Sequence, residues 1–559
     1  MIKFKKIALG LIFITSLASC SISFGPTPTS SNFSTTLPTT TTPTIALPTT
    51  SVASSSSLKN EKVIQKIEWI NKPVVNSYYG EPLSFSSYGK IRVIYQNQTT
   101  EEVTLQKENM KTNRIDINSF DLQYAYINYE DFSLRFEVQL EKRKASSSVE
   151  FVKKLGVGWN LGNAFSASLD GFDTTHNRGI VEELGFSMDE LEMFCEVRDQ
   201  PQAYRGKITK ATIQAVYKKG FRSIRIPISW SNHMDNDGTI HEKWMARIQE
   251  VVNYIYQDYD DVYIILTLMD GLDGYDLSNA HQQKTMNLIT NVWTQVSERF
   301  KDYDERLIFE NLNEPMYDEN LKWDMNPKQT KYQALYKEAN QNLMKYNQKF
   351  VDIVRASSSE KNKNRYLTVN TYGNISEYAY DEAVKKVSQF NLPNDTANDK
   401  ILYNGHAYYP HYFCYHNNDN GQYTDSWSAN SVNDTKPITD MFQNLYNTYV
   451  KNGIGVIISE WGSVDRNVNG RDQARVNHAY YYMKTATDYD IACFVWDNGA
   501  VSGDNHEEAF GFLNKHKASG LYDDMVKKSY VNYENEILWY HENILSSIFK
   551  GYQAGTAIL

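Results

Sequence analysis

The 559-residue sequence predicts an α/β chain: an eight-fold βα barrel of the (β/α)8 TIM type, preceded by a small all-β sandwich. Three observations predict it. Beyond Ser148, short apolar runs alternate with amphipathic helical stretches, the signature of repeated βα units. Eight such runs can be counted, the number that closes a barrel. Between about Glu61 and Lys144 the pattern is instead one of short runs alternating with period two, which indicates antiparallel strands of a sandwich. The length suits a barrel of about 400 residues plus one small module, two folded units in all.

From the amino end, residues 1–20 carry Lys3, Lys5 and Lys6 and then an apolar run from Ile7 to Ala18, too short for a stable spanning helix and suited to an export signal. The segment closes on Leu17-Ala18-Ser19-Cys20, which resembles the bacterial lipobox, and the resemblance implies that Cys20 is lipidated and becomes the first mature residue. Residues 21–57 are almost wholly Ser, Thr and Pro with scattered apolar side chains, a composition that buries too little surface to offset chain entropy. They are expected to form an extended tether, either a passive cell-wall spacer or one that lets the folded units search nearby polymer.

The sandwich is expected over residues 58–146, with strands near Lys66 to Ile70, Lys90 to Gln96, Glu101 to Gln106, Leu122 to Asn128 and Phe132 to Glu141. Tyr79-Gly80-Glu81-Pro82-Leu83, then Lys90-Ile91-Arg92-Val93-Ile94-Tyr95 and Thr99-Thr100-Glu101-Glu102-Val103, resemble the bacterial immunoglobulin-like modules of cell-surface proteins. Trp69, Tyr78, Tyr79, Tyr88 and Tyr95 offer a carbohydrate platform. A plain spacer with ordinary core and surface aromatics is the preferred reading.

The barrel is expected over residues 150–552. Its strands lie near Gly156 to Leu161, Ser223 to Ile228, Val262 to Leu268, Leu307 to Leu312, Tyr366 to Thr371, Ile401 to Ala407, Gly455 to Ser459 and Ala492 to Trp496. Between the second and third, Glu242 to Asp258 sets Met245, Ile248, Val251, Val252 and Ile255 at helical spacing, a core-facing stripe. A last helix over Ile537 to Phe549 closes the ring.

The net charge of −10 argues against nucleic acid as a partner, because phosphate binding needs a basic face. A neutral polymer fits better, and 40 tyrosines with 10 tryptophans suit sugar stacking, though biased composition yields the same count. Of four cysteines, Cys20 belongs to the signal; Cys195, Cys414 and Cys493 imply no disulfide framework, and whether a pair bridges stays open. The donors of His411-Tyr412-Phe413-Cys414-Tyr415-His416 are loosely zinc-like in spacing, yet no second cluster completes a site. Asp235-Asn236-Asp237-Gly238 invites a calcium reading, but Trp244 stands where an EF-hand loop needs glutamate, so a turn before a helix explains it better. No metal or organic cofactor is assigned.

The chemistry is carried by two glutamates. Asn311-Leu312-Asn313-Glu314-Pro315 and Ile458-Ser459-Glu460-Trp461-Gly462 each place one at the end of a strand-like run, and barrel chemistry sits at the carboxyl ends of strands. Hydrolysis of a glycosidic bond with retention needs one carboxyl group to protonate the leaving oxygen and a second, roughly 5 Å away, to attack the anomeric carbon. His406, Tyr408 and Trp496 fall at the ends of later strands.

These strings resemble glycoside hydrolase family 5, and most of all its branch of β-glucanases and xyloglucanases, over roughly Phe151 to Lys550. The motifs are Gly158-Trp159-Asn160-Leu161-Gly162-Asn163, Ile224-Arg225-Ile226-Pro227-Ile228-Ser229-Trp230, Asn313-Glu314-Pro315, His406-Ala407-Tyr408-Tyr409-Pro410, Glu460-Trp461-Gly462 and Trp496-Asp497-Asn498-Gly499. Each is weak alone; their order along one chain is specific. The resemblance implies Glu314 as acid and then base, Glu460 as nucleophile, and Arg225 pairing with Glu460. It further implies Asn313 on the sugar 2-hydroxyl, His406 tuning Glu314, Tyr408 donating toward Glu460, Trp496 as sugar floor and Asn163 in support.

One position departs from the family. Met269 and Asp270 stand where members commonly carry a His-His pair at the end of the third strand. Met269 cannot supply imidazole's hydrogen bond; Asp270 is able to accept one instead. Losing one contact that strengthens in the transition state costs roughly 1–3 kcal/mol, which slows catalysis without abolishing it. The expected activity is thus a retaining endo-β-1,4-glucanase on β-glucan, xyloglucan or cellulose, a monomer held at the outer face of the cell membrane by its lipid. A β-mannanase, or a catalytically impaired glycan-binding protein, are the alternatives. Inserts at Gly171 to Arg205 and Tyr409 to Ser426 are expected to shape the cleft walls. Which polymer is preferred stays open at this point.

Overall fold

The computed structural model describes residues 62–79, 83–112, 114–141, 146–166, 208–270, 274–317, 325–415, 423–501, 509–520 and 537–558. The expected signal with Cys20, the tether, Cys195, His416 and the insert Gly171 to Arg205 lie outside these residues.

The amino-terminal part is all-β. Strands β1 (Ile64–Asn71), β4 (Lys90–Tyr95) and β5 (Thr100–Thr104) pair antiparallel in one sheet; β6 (Met110–Lys111), β7 (Gln123–Tyr129) and β8 (Phe132–Val138) form a second. Two short strands, β2 (Val74–Val75) and β3 (Phe85–Ser87), pair alongside. Ile67, Ile91 and Val93 from the first sheet and Ala125, Ile127, Phe136 and Val138 from the second are buried in one cluster, so alternate residues of both sheets build a common core. Three of the five aromatics weighed as a platform are engaged within the module. Tyr95 is buried, Trp69 sets its edge on Phe136 and donates to the Arg135 carbonyl, and Tyr79 stacks on Phe120.

The barrel closes in the order β10-β11-β12-β13-β14-β15-β16-β9, all parallel. Its strands are β9 (Gly158–Asn160), β10 (Ser223–Ile228), β11 (Tyr263–Leu268), β12 (Leu307–Glu310), β13 (Leu367–Ile375), β14 (Ile401–His406), β15 (Val456–Trp461) and β16 (Ala492–Val495). Each overlaps a run expected from sequence. Every residue of β10 and β15 is buried, as parallel strands covered on both faces must be.

Helix α1 (Ser147–Lys154) sets Phe151, Val152 and Leu155 against Ile265, Ile308, Leu402, Ile457 and Phe494 near the amino ends of the strands, closing the barrel on the side away from the chemistry. Ser146 caps it, accepting from the Val149 amide and donating to the Gly453 carbonyl. The outer ring comprises α2 (Lys210–Lys219), α3 (Glu242–Tyr256), α4 (Gln282–Arg299), α5 (Thr330–Arg355), α6 (Val432–Thr448), α7 (Arg471–Asp488) and α8 (Glu542–Ala554); after β13 two short helices, Ser376–Tyr380 and Glu382–Ser388, take the place of a long one. Helix α3 buries Met245, Ile248, Val251, Val252 and Ile255, the stripe read from its spacing. The last helix begins later than expected. Residues Ile537 to His541 precede it: Leu513 and Trp539 form an isolated antiparallel bridge, and His541 turns left-handed at φ +52 to start α8.

Asp235 to Thr239 forms a tight turn, with the Gly238 amide donating to Asp235 O and the Thr239 amide to Asp237 Oδ1. Gly238 has φ +87, the conformation that favours glycine. Cys414 and Cys493 are buried free thiols.

Candidate active site

Three strand ends bring the predicted residues together. Glu314 follows β12, His406 ends β14, Tyr408 lies two residues on, and Glu460 lies in β15. One oxygen each of Glu314 and Glu460 and one nitrogen of His406 lie within 4.8 Å of one another. That closeness fits a retaining pair, whose carboxyl groups stand about 5 Å apart, better than the wider spacing of an inverting one. Such a trio also has the spacing of metal ligands, but each atom is engaged by the others or by neighbouring donors.

Glu460 is the more deeply held carboxylate. Its Oε1 accepts from Arg225 Nη1 at 2.8 Å, and its Oε2 accepts from the Tyr408 hydroxyl at 3.0 Å, with His406 Nδ1 3.6 Å away. Burial raises its pKa above the ordinary glutamate value; His406 and Arg225 oppose that rise, and Glu314 reinforces it. Burial also pushes His406 down to about 4, so its imidazole is neutral above that pH. Its Nδ1 lies 2.9 Å from Glu314 Oε1. A neutral ring and one carboxyl group share a single proton across that contact. The tautomer of His406 therefore follows the protonation of Glu314.

The backbone of Glu314 is left-handed, φ +44, and its amide donates to Asn374 Oδ1 at 2.8 Å. Asn374 is itself at φ +53 in the outward extension of β13, and its Oδ1 also accepts from Asn370 Nδ2 at 2.7 Å. Asn370 Nδ2 donates in addition to the Leu312 carbonyl. Asn313 is fixed from both sides: its Oδ1 accepts from Arg225 Nη2 at 2.7 Å, its amide donates to the Leu268 carbonyl, and the Tyr275 hydroxyl donates to its carbonyl.

Arg225, fully buried on β10, spends all five of its N–H donors. Nε and Nη2 grip Glu310 at 2.9 and 2.7 Å, Nη2 also reaches Asn313, and Nη1 reaches Glu460 and Asn160 Oδ1 at 3.0 Å. Asn160 in turn donates to the Ser459 carbonyl beside Glu460. Trp496 is buried with its ring against Gly162: a Cβ there would meet the ring at 3.0 Å and the Asp497 carbonyl at 2.7 Å. Asn163 is half-buried at φ +52 on the turn after β9.

Asp270 is engaged by its own neighbouring turn. Its Oδ1 accepts from the Ser229 hydroxyl at 2.8 Å and from the Trp230 amide at 2.6 Å, and both of its oxygens accept from the Ser231 amide at 3.1 Å. It braces the turn after β10, and burial raises its pKa to about 6 despite those donors. Sequence reasoning missed Glu310, Asn160, Asn370 and Asn374. A charged residue inside the apolar run Leu307-Ile308-Phe309-Glu310 was the available signal for the first, because an unpaired charge is not tolerated there.

The profile of the cellulase family, glycosyl hydrolase family 5, matches residues 182–502. Endoglucanase A of Ruminococcus albus is 31% identical over 384 residues, covering 68% of this chain and 91% of its own. Among solved structures, a family 5 lichenase from Caldicellulosiruptor sp. F32 superposes with a TM-score of 0.60 at 30% identity, covering 75% of this chain and 99% of its own. A family 5 xyloglucanase from Paenibacillus pabuli does so at 0.55 and 25% identity, covering 72% and 100%.

Proposed function

The chain belongs to glycosyl hydrolase family 5, the cellulase family, and from that premise we propose that it is an endo-acting β-1,4-glucanase in which Glu460 is the nucleophile and Glu314 the acid and base. The observation that carries the assignment of roles is the shared geometry of the pair. Two carboxylates lie within 4.8 Å, one clamped by Arg225 and Tyr408, the other facing a neutral histidine.

In the first step Glu460 attacks the anomeric carbon while Glu314 gives its proton to the departing glycosidic oxygen, leaving a glycosyl ester on Glu460. In the second, Glu314 takes a proton from water, the hydroxide adds to the anomeric carbon, and Glu460 leaves as carboxylate with configuration retained. Two donors held on Glu460 stabilise the anion that leaves in this step. Asn313, with Oδ1 committed to Arg225, offers its NH2 to the sugar 2-hydroxyl, a contact that strengthens as oxocarbenium character grows. Trp496 supplies the apolar floor beneath the reacting sugar.

The substrate is a β-glucan polymer. Lichenase and xyloglucanase relatives support mixed-linkage glucan and xyloglucan ahead of mannan, and the intact pair of glutamates speaks against a binding protein without catalysis. The same reading places the enzyme outside the cell: Cys20 carries lipid at the outer face of the membrane, residues 21–57 form the tether, and the immunoglobulin-like sandwich is a spacer before the barrel.

Reducing-sugar release from xyloglucan, mixed-linkage β-glucan, carboxymethylcellulose and mannan by residues 58–559 tests the function beside Glu460→Gln. Release from the glucans that disappears in the variant is expected. A folded parent that releases nothing from any of the four refutes the assignment.

A further inference from the structure

Glu310 lies on β12, four residues before Glu314, and is 1% exposed. Neither step above uses it. Both of its oxygens are taken by the Nε and Nη2 edge of Arg225, a parallel two-bond fork that fixes the guanidinium plane. With that edge fixed, the remaining donors can point only where they do, Nη1 to Glu460 and Asn160 and the second Nη2 proton to Asn313. A rotation of Arg225 would break contacts to the nucleophile and to the 2-hydroxyl ligand together.

The charges carry a second consequence. Arg225 is one cation between two buried carboxylates, with side chains 1% and 7% exposed. Were Glu310 neutral, the whole positive charge would fall on Glu460 and stabilise its anion, making it a weaker nucleophile. We propose that Glu310 is a positioning residue for the reaction, one that orients Arg225 and takes up much of its charge, so that Glu460 is aimed by the guanidinium yet stays reactive. This rests on Glu460 being the nucleophile. The groups that face Glu460 are Arg225, Tyr408, His406 and Glu314; those that act on Glu310 are Arg225, with Tyr275 and His406 at longer range.

The test is the pH profile of kcat/KM on a soluble β-glucan for the full chain, its Glu310→Gln and Glu310→Asp variants, and Glu460→Gln. In Glu310→Gln the acid limb, set by ionisation of Glu460, should move down by about one pH unit. Its kcat/KM, which reports formation of the glycosyl ester, should fall by about a hundredfold and by more than kcat does. Glu310→Asp keeps the charge but withdraws it, so its limb should stay in place while kcat/KM falls by about tenfold. A folded Glu310→Gln whose limb stays put or moves up overturns the proposal. If Glu310→Gln gives no cooperative unfolding transition, Glu310→Asp decides, and parental kcat/KM in it overturns the proposal. Activity retained in Glu460→Gln would instead sink the assignment of the nucleophile, which separates the two failures.

Discussion

Glu314 sits in a backbone conformation that a side chain with a Cβ adopts only when its surroundings impose it, and Asn374 holds its amide there. Asn374→Ala removes the acceptor for the Glu314 amide, so the turn is free to relax away from His406. The expected result is a loss of about tenfold in kcat/KM with a stability loss of about 1 kcal/mol, read by steady-state kinetics and denaturant unfolding. Tyr408 allows a signed prediction about pH. Its hydroxyl donates to the charged form of Glu460, so Tyr408→Phe should raise a pKa that burial already holds above the ordinary value. The acid limb of kcat/KM then moves to higher pH, opposite to Glu310→Gln. His406, at about 4, is neutral above the foot of that limb. At this scale the sequence made the strings of the candidate site readable because each stands at a strand end in family order. Glu310 and Asn374 were not readable, because their meaning lies in partners 85 and 60 residues away, Arg225 and Glu314. Nor did the sequence tell which way Asp270 turns: a carboxylate at a strand end can face a ligand or its own neighbouring turn, and three local donors decided for the turn.

The barrel strands were legible for a physical reason: covered on both faces, they read as near-continuous apolar runs, and helices between them read as stripes. Ends were less legible. Strand β13 runs to Ile375 rather than stopping at Thr371, since Gly373 and Asn374 look like loop in the sequence, yet they are buried and Asn374 braces Glu314 from behind. Helix α8 was placed early because Ile537 and Leu538 look like the start of an apolar stripe, whereas Leu513 and Trp539 pair as an isolated bridge ahead of the helix. Gly551 within α8 is a costly helix residue, and its presence is explained by approach: a Cβ would meet the Tyr480 carbonyl of α7 at 2.4 Å and Met483 Cβ at 3.1 Å. Gly551→Leu should push the two helices apart and lower stability by about 2–3 kcal/mol, seen as a fall in Tm. Activity at 25 °C per folded molecule should be unchanged, because α7 and α8 lie in the outer ring.

At the scale of the molecule, the sandwich and the barrel have separate hydrophobic clusters, the first containing Ile67, Ile91, Ile127 and Phe136, the second spanning Val149 to Ile548. A module with its own core can be removed without opening its neighbour's. If the sandwich is a spacer, residues 146–559 should match the longer chain within about twofold on soluble glucan, since no groups of the catalytic cluster come from it. A sandwich that binds sugar would show itself on insoluble cellulose, where its removal would cut release far more than on soluble polymer. Tyr95 and Trp69, which a sugar platform would need, are spent on packing instead, and that favours the spacer. A spacer has a purpose only if the chain is held at one end, so the proposed lipid on Cys20 is the element to test. Cys20→Ala in the full chain should therefore move the activity from the membrane fraction to the medium while leaving kcat/KM on soluble glucan as it was. Parental partition of that variant would mean that Cys20 carries no lipid and would overturn the proposed anchor.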